Sequence, residues 1–474
     1  MNTASVDAAK AAARLDCPPL EQALVGFIHD LEATALTPST RAAASCLLRD
    51  QLAVQIGSAR LPWSRQILEF ALARRAPGIS RIVASPHQVG AVDAAFVNAI
   101  YGHGFEYDDA HRASASHPGC CVVPAALALG EALGSSLDEV LVAIVAGYEA
   151  YTGIGCLAAP DLLKRGFHPH AVLSNFGAAA VAAKLHRLDE EATLHTLAIA
   201  LSHAAGTTEY SSTGGSIKRV HAGLGVRNGL LAAEMARAGI TGPRAFLSGA
   251  KGFYRSFLQR DAGTGAGDWF KPSHGFQIEK IWLKPYCCCG CIHAYIDALA
   301  PHAGSHADIR RVRIRIQPSA NVIVGTANAN AWTPRNIEHV QFSLPIQLAF
   351  TLLGLGNGAR VHHDYLRGAL GMTTVMDTAR RLELEVVPAL DERYPGRFVA
   401  DLTLEFHDGR TQDVFVDDPI GTAENPLPEA AQDAKFMELT VDVLGQARAA
   451  TLLAALRTLD PKSTPGELTA MASA

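Results

Sequence analysis

The sequence predicts a mainly α protein, a large all-α helical body interrupted by a smaller α+β segment. Three observations carry this. Apolar residues recur at intervals of three and four through Ala- and Leu-rich segments, the pattern changes to period two beyond about residue 277, and the helical period returns after Pro426 and Pro428. At 474 residues the chain exceeds the roughly 250–300 residues one core covers, so two domains are expected. They are drawn as 1–276 with 420–474 for the helical body and 277–419 for the inserted α+β domain.

Each element has its own warrant. Leu24, Phe27, Ile28 and Leu31 form a helix face. Thr37-Pro38 offers an N-cap followed by Pro at the first helical position, and Leu48, Leu52 and Ile56 continue the helix to a stop at Gly57. Helices are also expected at Val92–Ile100, Pro124–Leu133, Asp138–Tyr151, Ala171–Leu185, Asp189–Ala205 and Gly223–Ala238, rich in small residues that permit close packing. Val312, Ile314 and Ile316 alternate with Arg311, Arg313 and Arg315, a strand with one wet face. Leu402, Leu404 and Phe406 lead through Asp408-Gly409 to Val414 and Val416, a hairpin whose turn needs positive φ. Leu344–Leu355 reads as a helix between them. Phe436, Leu439, Val443, Leu444, Leu452, Leu453 and Leu456 restore the helical period, and the tail from Pro461 is expected to fray.

Composition excludes several function classes. The net charge is −5, with Lys and Arg spread singly, so there is no footprint for nucleic acid. The most apolar windows, near Val122–Leu133 and Val140–Gly147, are broken by acids and read as too short for a membrane span. Met1–Ala13 lacks the apolar core of a secretory signal. Nine cysteines without such a signal suit reduced thiols and a cytoplasmic setting. No dinucleotide, phosphate-loop or serine-elbow motif is present.

Two stretches carry the chemistry. Glu106-Tyr107-Asp108-Asp109-Ala110-His111, followed by His117-Pro118, gathers three acids and two histidines, the groups that proton abstraction beside an activated carbon needs. A capped helix end with solvated acids is the bland alternative. The second stretch runs from Gly166 to His221. It holds Phe167-His168-Pro169-His170 and Gly214-Gly215-Ser216-Ile217-Lys218-Arg219-Val220-His221. His168 with Lys164, Arg165, Lys218, Arg219 and His221 suggests a cationic pocket for carboxylates, weighed against a surface basic patch. The run Cys287-Cys288-Cys289-Gly290-Cys291-Ile292-His293 invites a metal or iron–sulfur reading, but adjacent cysteines point apart and no second pair is recognisable. These cysteines are read as small buried residues, with His293 directed toward the cleft and no metal assigned.

The ordered motifs resemble the MmgE/PrpD family. They are Glu106-Tyr107-Asp108-Asp109 with His117-Pro118 and Val123–Ala128; Gly147-Tyr148-Glu149; Gly166–Pro169; Gly215–His221; Thr241–Arg244; Gly252-Phe253; Lys284-Pro285-Tyr286 with His293; Gln341–Pro345; and Lys435-Phe436. The resemblance implies a helical body with an α+β lid, a homodimer, and chemistry without cofactor on a small di- or tricarboxylate. It implies His168, Lys218, His117 and Asp109 as catalytic residues. Glu106, Asp108, His221, Lys284, Tyr286 and His293 are expected to complete the substrate pocket. Family activities include dehydration, decarboxylation and epimerisation, and dehydration of the 2-methylcitrate type is the leading expectation. A metal protein built on the cysteine run and a noncatalytic scaffold are the alternatives from other classes. The chain has Glu106 and Ala110 where relatives acting on tricarboxylates often carry Asp and Thr, which lengthens one acid and removes a hydroxyl.

Overall fold

The computed structural model describes residues 15–473 apart from Pro160 and Pro395. The reading of Met1–Ala13 lies outside them. The protein is mainly α, and the helices that build the site are α1 (Pro38–Ser58), α2 (Ala91–Gly102), α3 (Gly119–Leu133), α4 (Leu137–Ala158), α5 (Pro169–Leu185) and α6 (Ile217–Arg237). Thr37 caps α1 by accepting the Thr40 amide at 3.1 Å, ahead of Pro38. Ser136 and Glu139 form a capping box at α4.

Small residues set the packing distances. An added Cβ at Gly229 of α6 would sit 2.6 Å from the Ala178 Cβ of α5, so these backbones approach closely only because Gly faces Ala. Gly57 is not the stop expected for α1. The helix runs to Ser58, and Gly57 admits Leu439 of a later helix. Likewise α3 begins at Gly119, with Pro124 inside it; a proline read as a helix start is here tolerated within one. Over length and composition α4 could cross a membrane, contrary to the short windows read above, since its 22 residues include a window of mean hydropathy 1.6. That window is 89% buried in the protein, making α4 the core helix of the body.

The later part holds α7 (Gly290–Leu299), α8 (Leu344–Leu352) and a four-stranded sheet of β1 (Ile309–Ile316), β2 (Leu382–Val386), β3 (Ala400–Phe406) and β4 (Thr411–Val416). Its order is β2-β1-β3-β4, with β1–β2 parallel and the others antiparallel. The β3–β4 hairpin turns through Gly409 at φ 92°. Val312, Ile314, Leu402 and Leu404 bury one face in an apolar cluster with α7 and α8. On the other, Arg313 meets Glu405 at 2.7 Å and Arg315 meets Asp401 at 2.5 Å. The parallel strand β2 was missed because Leu382, Leu384 and Val386 span only five residues.

Helix α9 (Glu429–Leu444) returns to α1, and Phe436, Leu439, Leu452 and Leu456 join the apolar cluster of the body. The tail does not fray. Helix α10 (Pro465–Ala472) is capped by Thr464 and Glu467 and buries Leu468 and Ala472, and the Ala472 carbonyl accepts the Ala84 amide at 2.8 Å.

Candidate active site

The acidic loop follows α2 and is held carbonyl by carbonyl. Gly104 O accepts from Arg219 Nε at 3.1 Å, Phe105 O from Gln341 Nε2 at 2.8 Å, Glu106 O from Lys284 Nζ at 2.8 Å, and Tyr107 O from Lys435 Nζ at 2.9 Å. Four donors from distant parts of the chain thus fix four successive peptide units. Glu106 needs this support, since its φ of 55° is in the left-handed region that costs a residue with a Cβ. Lys435 is itself balanced by Asp50 at 2.8 Å.

Glu106 and Asp108 turn into the interior. The Glu106 carboxylate contacts Lys218 and lies 3.5 Å from Lys284 Nζ. Asp108 Oδ2 accepts from His103 Nδ1 at 2.7 Å and lies 3.8 Å from His117 Nδ1; its Oδ1 is 3.8 Å from Lys284. Burial opposes ionisation of Asp108, but His117, His103 and Lys284 outweigh it and hold the carboxyl well below its usual range.

His168 and His170 occupy the N-terminal edge of α5, with Pro169 at the first helical position. His168 Nδ1 and His221 Nδ1 are 2.9 Å apart, so one imidazole donates to the other. His221 reaches this point because α6 begins at Ile217, which puts Lys218 and His221 on one face. The double glycine before it supplies conformation rather than close approach: Gly214 and Gly215 have φ of 88° and 111°, with open space where Cβ atoms would stand. His170 Nδ1 pairs with the Tyr151 hydroxyl at 2.8 Å. The His103 ring centroid is 4.4 Å from that of His170, 5.3 Å from His117 and 6.3 Å from His168. Five imidazoles therefore share one interior cluster.

Burial sets their protonation. It pushes His103 and His221 down to about 4, and it holds His168 and His170 well below the ordinary imidazole range. Lys218 is pushed down to about 7 by burial, with the charges of Lys284 and Arg219 adding to it.

The expected residues separate into those brought together and those left apart. His117, His168, His221, Lys218, Lys284, Glu106 and Asp108 converge. The Asp109 carboxylate turns away, accepting from Tyr148 Oη at 2.6 Å and the Gly119 amide at 3.0 Å, and burial raises its pKa to about 7. His117 meets Asp109 only through the backbone, Nδ1 to carbonyl oxygen at 2.7 Å. Asp108 is thus the carboxylate that faces the imidazoles. The Tyr286 hydroxyl is spent on Asp297 at 2.6 Å. His293 packs against Trp282 and Tyr286 and sets Nε2 3.2 Å from Cys288 O, rather than contacting the histidine cluster. Lys164 and Arg165 are exposed, and Arg219 pairs with Glu338. All nine cysteines are free. His103 carried no motif that singled it out; its only signal was position, three residues before Glu106.

Buried imidazoles backed by an ionised carboxylate and flanked by two lysines are the equipment of an acid–base enzyme. Residues 22–264 match the MmgE/PrpD N-terminal domain and residues 286–460 the MmgE/PrpD C-terminal domain. The chain belongs to the MmgE/PrpD family. Among its relatives, a cis-aconitate decarboxylase of Aspergillus terreus is 27% identical over 436 residues, covering 85% of this chain and 86% of the relative. A cis-aconitate decarboxylase-like protein of Aspergillus oryzae is 25% identical over 482 residues, covering 95% and 96%. Human cis-aconitate decarboxylase is 36% identical over 166 residues, 34% of each chain.

Proposed function

We propose that the protein is a carboxy-lyase acting on a small unsaturated polycarboxylate of the cis-aconitate class, without a cofactor. The observation that carries this is that Lys218 and Lys284 meet on the Glu106 carboxylate, while Lys284 also lies 3.8 Å from Asp108, whose other oxygen holds His103 in the imidazole cluster. The names of the relatives support decarboxylation over the dehydration first expected.

In this reading the lysines hold substrate carboxylates, displacing the Glu106 carboxylate they meet in its absence. The carboxylate on carbon next to the double bond leaves as carbon dioxide. Its bonding pair moves into the allylic system, and negative charge develops beside a remaining carboxylate. A proton then goes to that carbon. His168 delivers it and His221, at 2.9 Å, resupplies it. Bound carboxylates add negative charge that favours the imidazolium, as Asp108 does from the His103 side. Departure of carbon dioxide needs no proton, so the step asks less of acid groups than expelling hydroxide does.

Residues 277–419 act as a lid that delivers Lys284, and the enzyme works as a homodimer, to be measured by light scattering. Carbon dioxide release from cis-aconitate, run beside loss of water from 2-methylcitrate, tests the function. Release from the first supports the reading. Turnover of the second alone replaces it with a dehydratase.

A further inference from the structure

One side of the histidine cluster carries groups that the proposed reaction does not use. His103, Cys120 and His170 are each almost fully buried, and one ligand atom from each lies within 4.8 Å of the others. It is the only such grouping of three among the described residues. Cys120 has no part in the proposed proton transfer; its Sγ faces the His117 carbonyl at 3.2 Å and His170 Nε2 at 3.6 Å.

Three features suit a metal ion. First, zinc bonds of about 2.3 Å to sulfur and about 2.0–2.1 Å to nitrogen, at a tetrahedral angle, separate the two ligand atoms by about 3.6 Å. The His170–Cys120 spacing has that value. Second, His103 Nε2 is buried with no hydrogen-bond partner among the described residues. Third, the other nitrogen of each histidine is already engaged, His103 Nδ1 by Asp108 at 2.7 Å and His170 Nδ1 by Tyr151 at 2.8 Å. Carboxylate and hydroxyl partners of this kind orient metal-binding imidazoles and leave Nε2 as the ligand. His117, whose side chain is 22% exposed, lies against both rings and gives a path inward.

We propose that His103, Cys120 and His170 form a site for zinc or a similar borderline divalent ion, with a fourth position open to water or a substrate carboxylate. The ion takes Nε2 of His103, Nε2 of His170 and Sγ of Cys120. Binding at this site does not depend on the proton-transfer reading above.

The test uses the purified, chelator-treated protein and cobalt(II), whose bond to thiolate gives a charge-transfer absorption. One cobalt per chain with that absorption is expected. It is abolished in Cys120→Ala, which leaves all four thiols of the Cys287–Cys291 run in place and so excludes that run as its source, and it is kept in Cys288→Ala. In zinc calorimetry Tyr151→Phe weakens binding by roughly 10–100-fold, the effect of losing an outer partner. Absence of the band in the wild type, or its persistence in Cys120→Ala, overturns the site. If Cys120→Ala fails to fold, the nearly isosteric Cys120→Ser is read by zinc calorimetry, and undiminished affinity there also overturns it.

Discussion

Asp108→Asn removes the one carboxylate that faces the imidazoles while nearly keeping its shape. In the native protein the carboxylate sits 2.7 Å from His103 and 3.8 Å from His117. At 2.7 Å an ion pair is worth about 6 kcal/mol of Coulomb attraction at an effective dielectric of about 20. Part of that is offset by desolvation, and adjacent carboxylates typically support an imidazolium by about 1–3 pKa units. His103 is already pushed down to about 4 by burial, with Asp108 opposing the fall. Losing that opposition makes the protonated cluster about 10–1000-fold rarer at neutral pH. An amide can also reverse the tautomer of His103. The expected outcome is a fall in kcat of about 10²-fold or more with KM changed far less, since Lys218 and Lys284 stay in place. Steady-state kinetics, with circular dichroism to establish the fold, reads this. A folded variant with kcat within threefold of wild type would refute the reasoning.

Three further outcomes are expected. His168→Ala should abolish turnover and leave the fold intact; retained turnover removes it from the proton-transfer role. Glu149 accepts the Gln277 and Ile278 amides at 2.9 and 2.8 Å, and burial raises its pKa from 4.5 to about 7. A raised folded pKa means its contribution is full below pH 4.5 and lost as pH climbs through about 7, a fall of about 3 kcal/mol; urea midpoints of Glu149→Gln should decline less over this window than those of wild type, and equal declines would refute it. Gly229→Val forces side-chain atoms against Ala178 and Ala179, costing about 1–3 kcal/mol by urea unfolding; an unchanged midpoint would show that the two helices can part freely.

The helical body was legible because Leu24, Leu48, Leu52 and the residues after Pro428 keep a period that neighbours cannot disguise. Ends were not, since Pro124 and Gly57 are used inside helices for packing. In the site, His168 and Lys218 could be read because Pro169 and Gly214-Gly215 mark their backbone. Gln341 and Lys435 stood out only through the family resemblance, and their work as donors to Phe105 O and Tyr107 O depends on contacts across more than 230 residues. Asp108 and Asp109 are adjacent, and sequence cannot say which points inward. His103 sits among glycines at the end of α2, and Cys120 in an apolar helix, so neither stood out until the fold brought them beside His170.

The central claim is metal-free loss of carbon dioxide followed by protonation of carbon. Its most direct measurement is proton and carbon NMR of the chelator-treated protein with carbon-13-labelled cis-aconitate in deuterium oxide. The account predicts labelled carbon dioxide and a product carrying one deuterium on the carbon beside a remaining carboxylate. Hydration of the double bond with all carboxylates retained would contradict it.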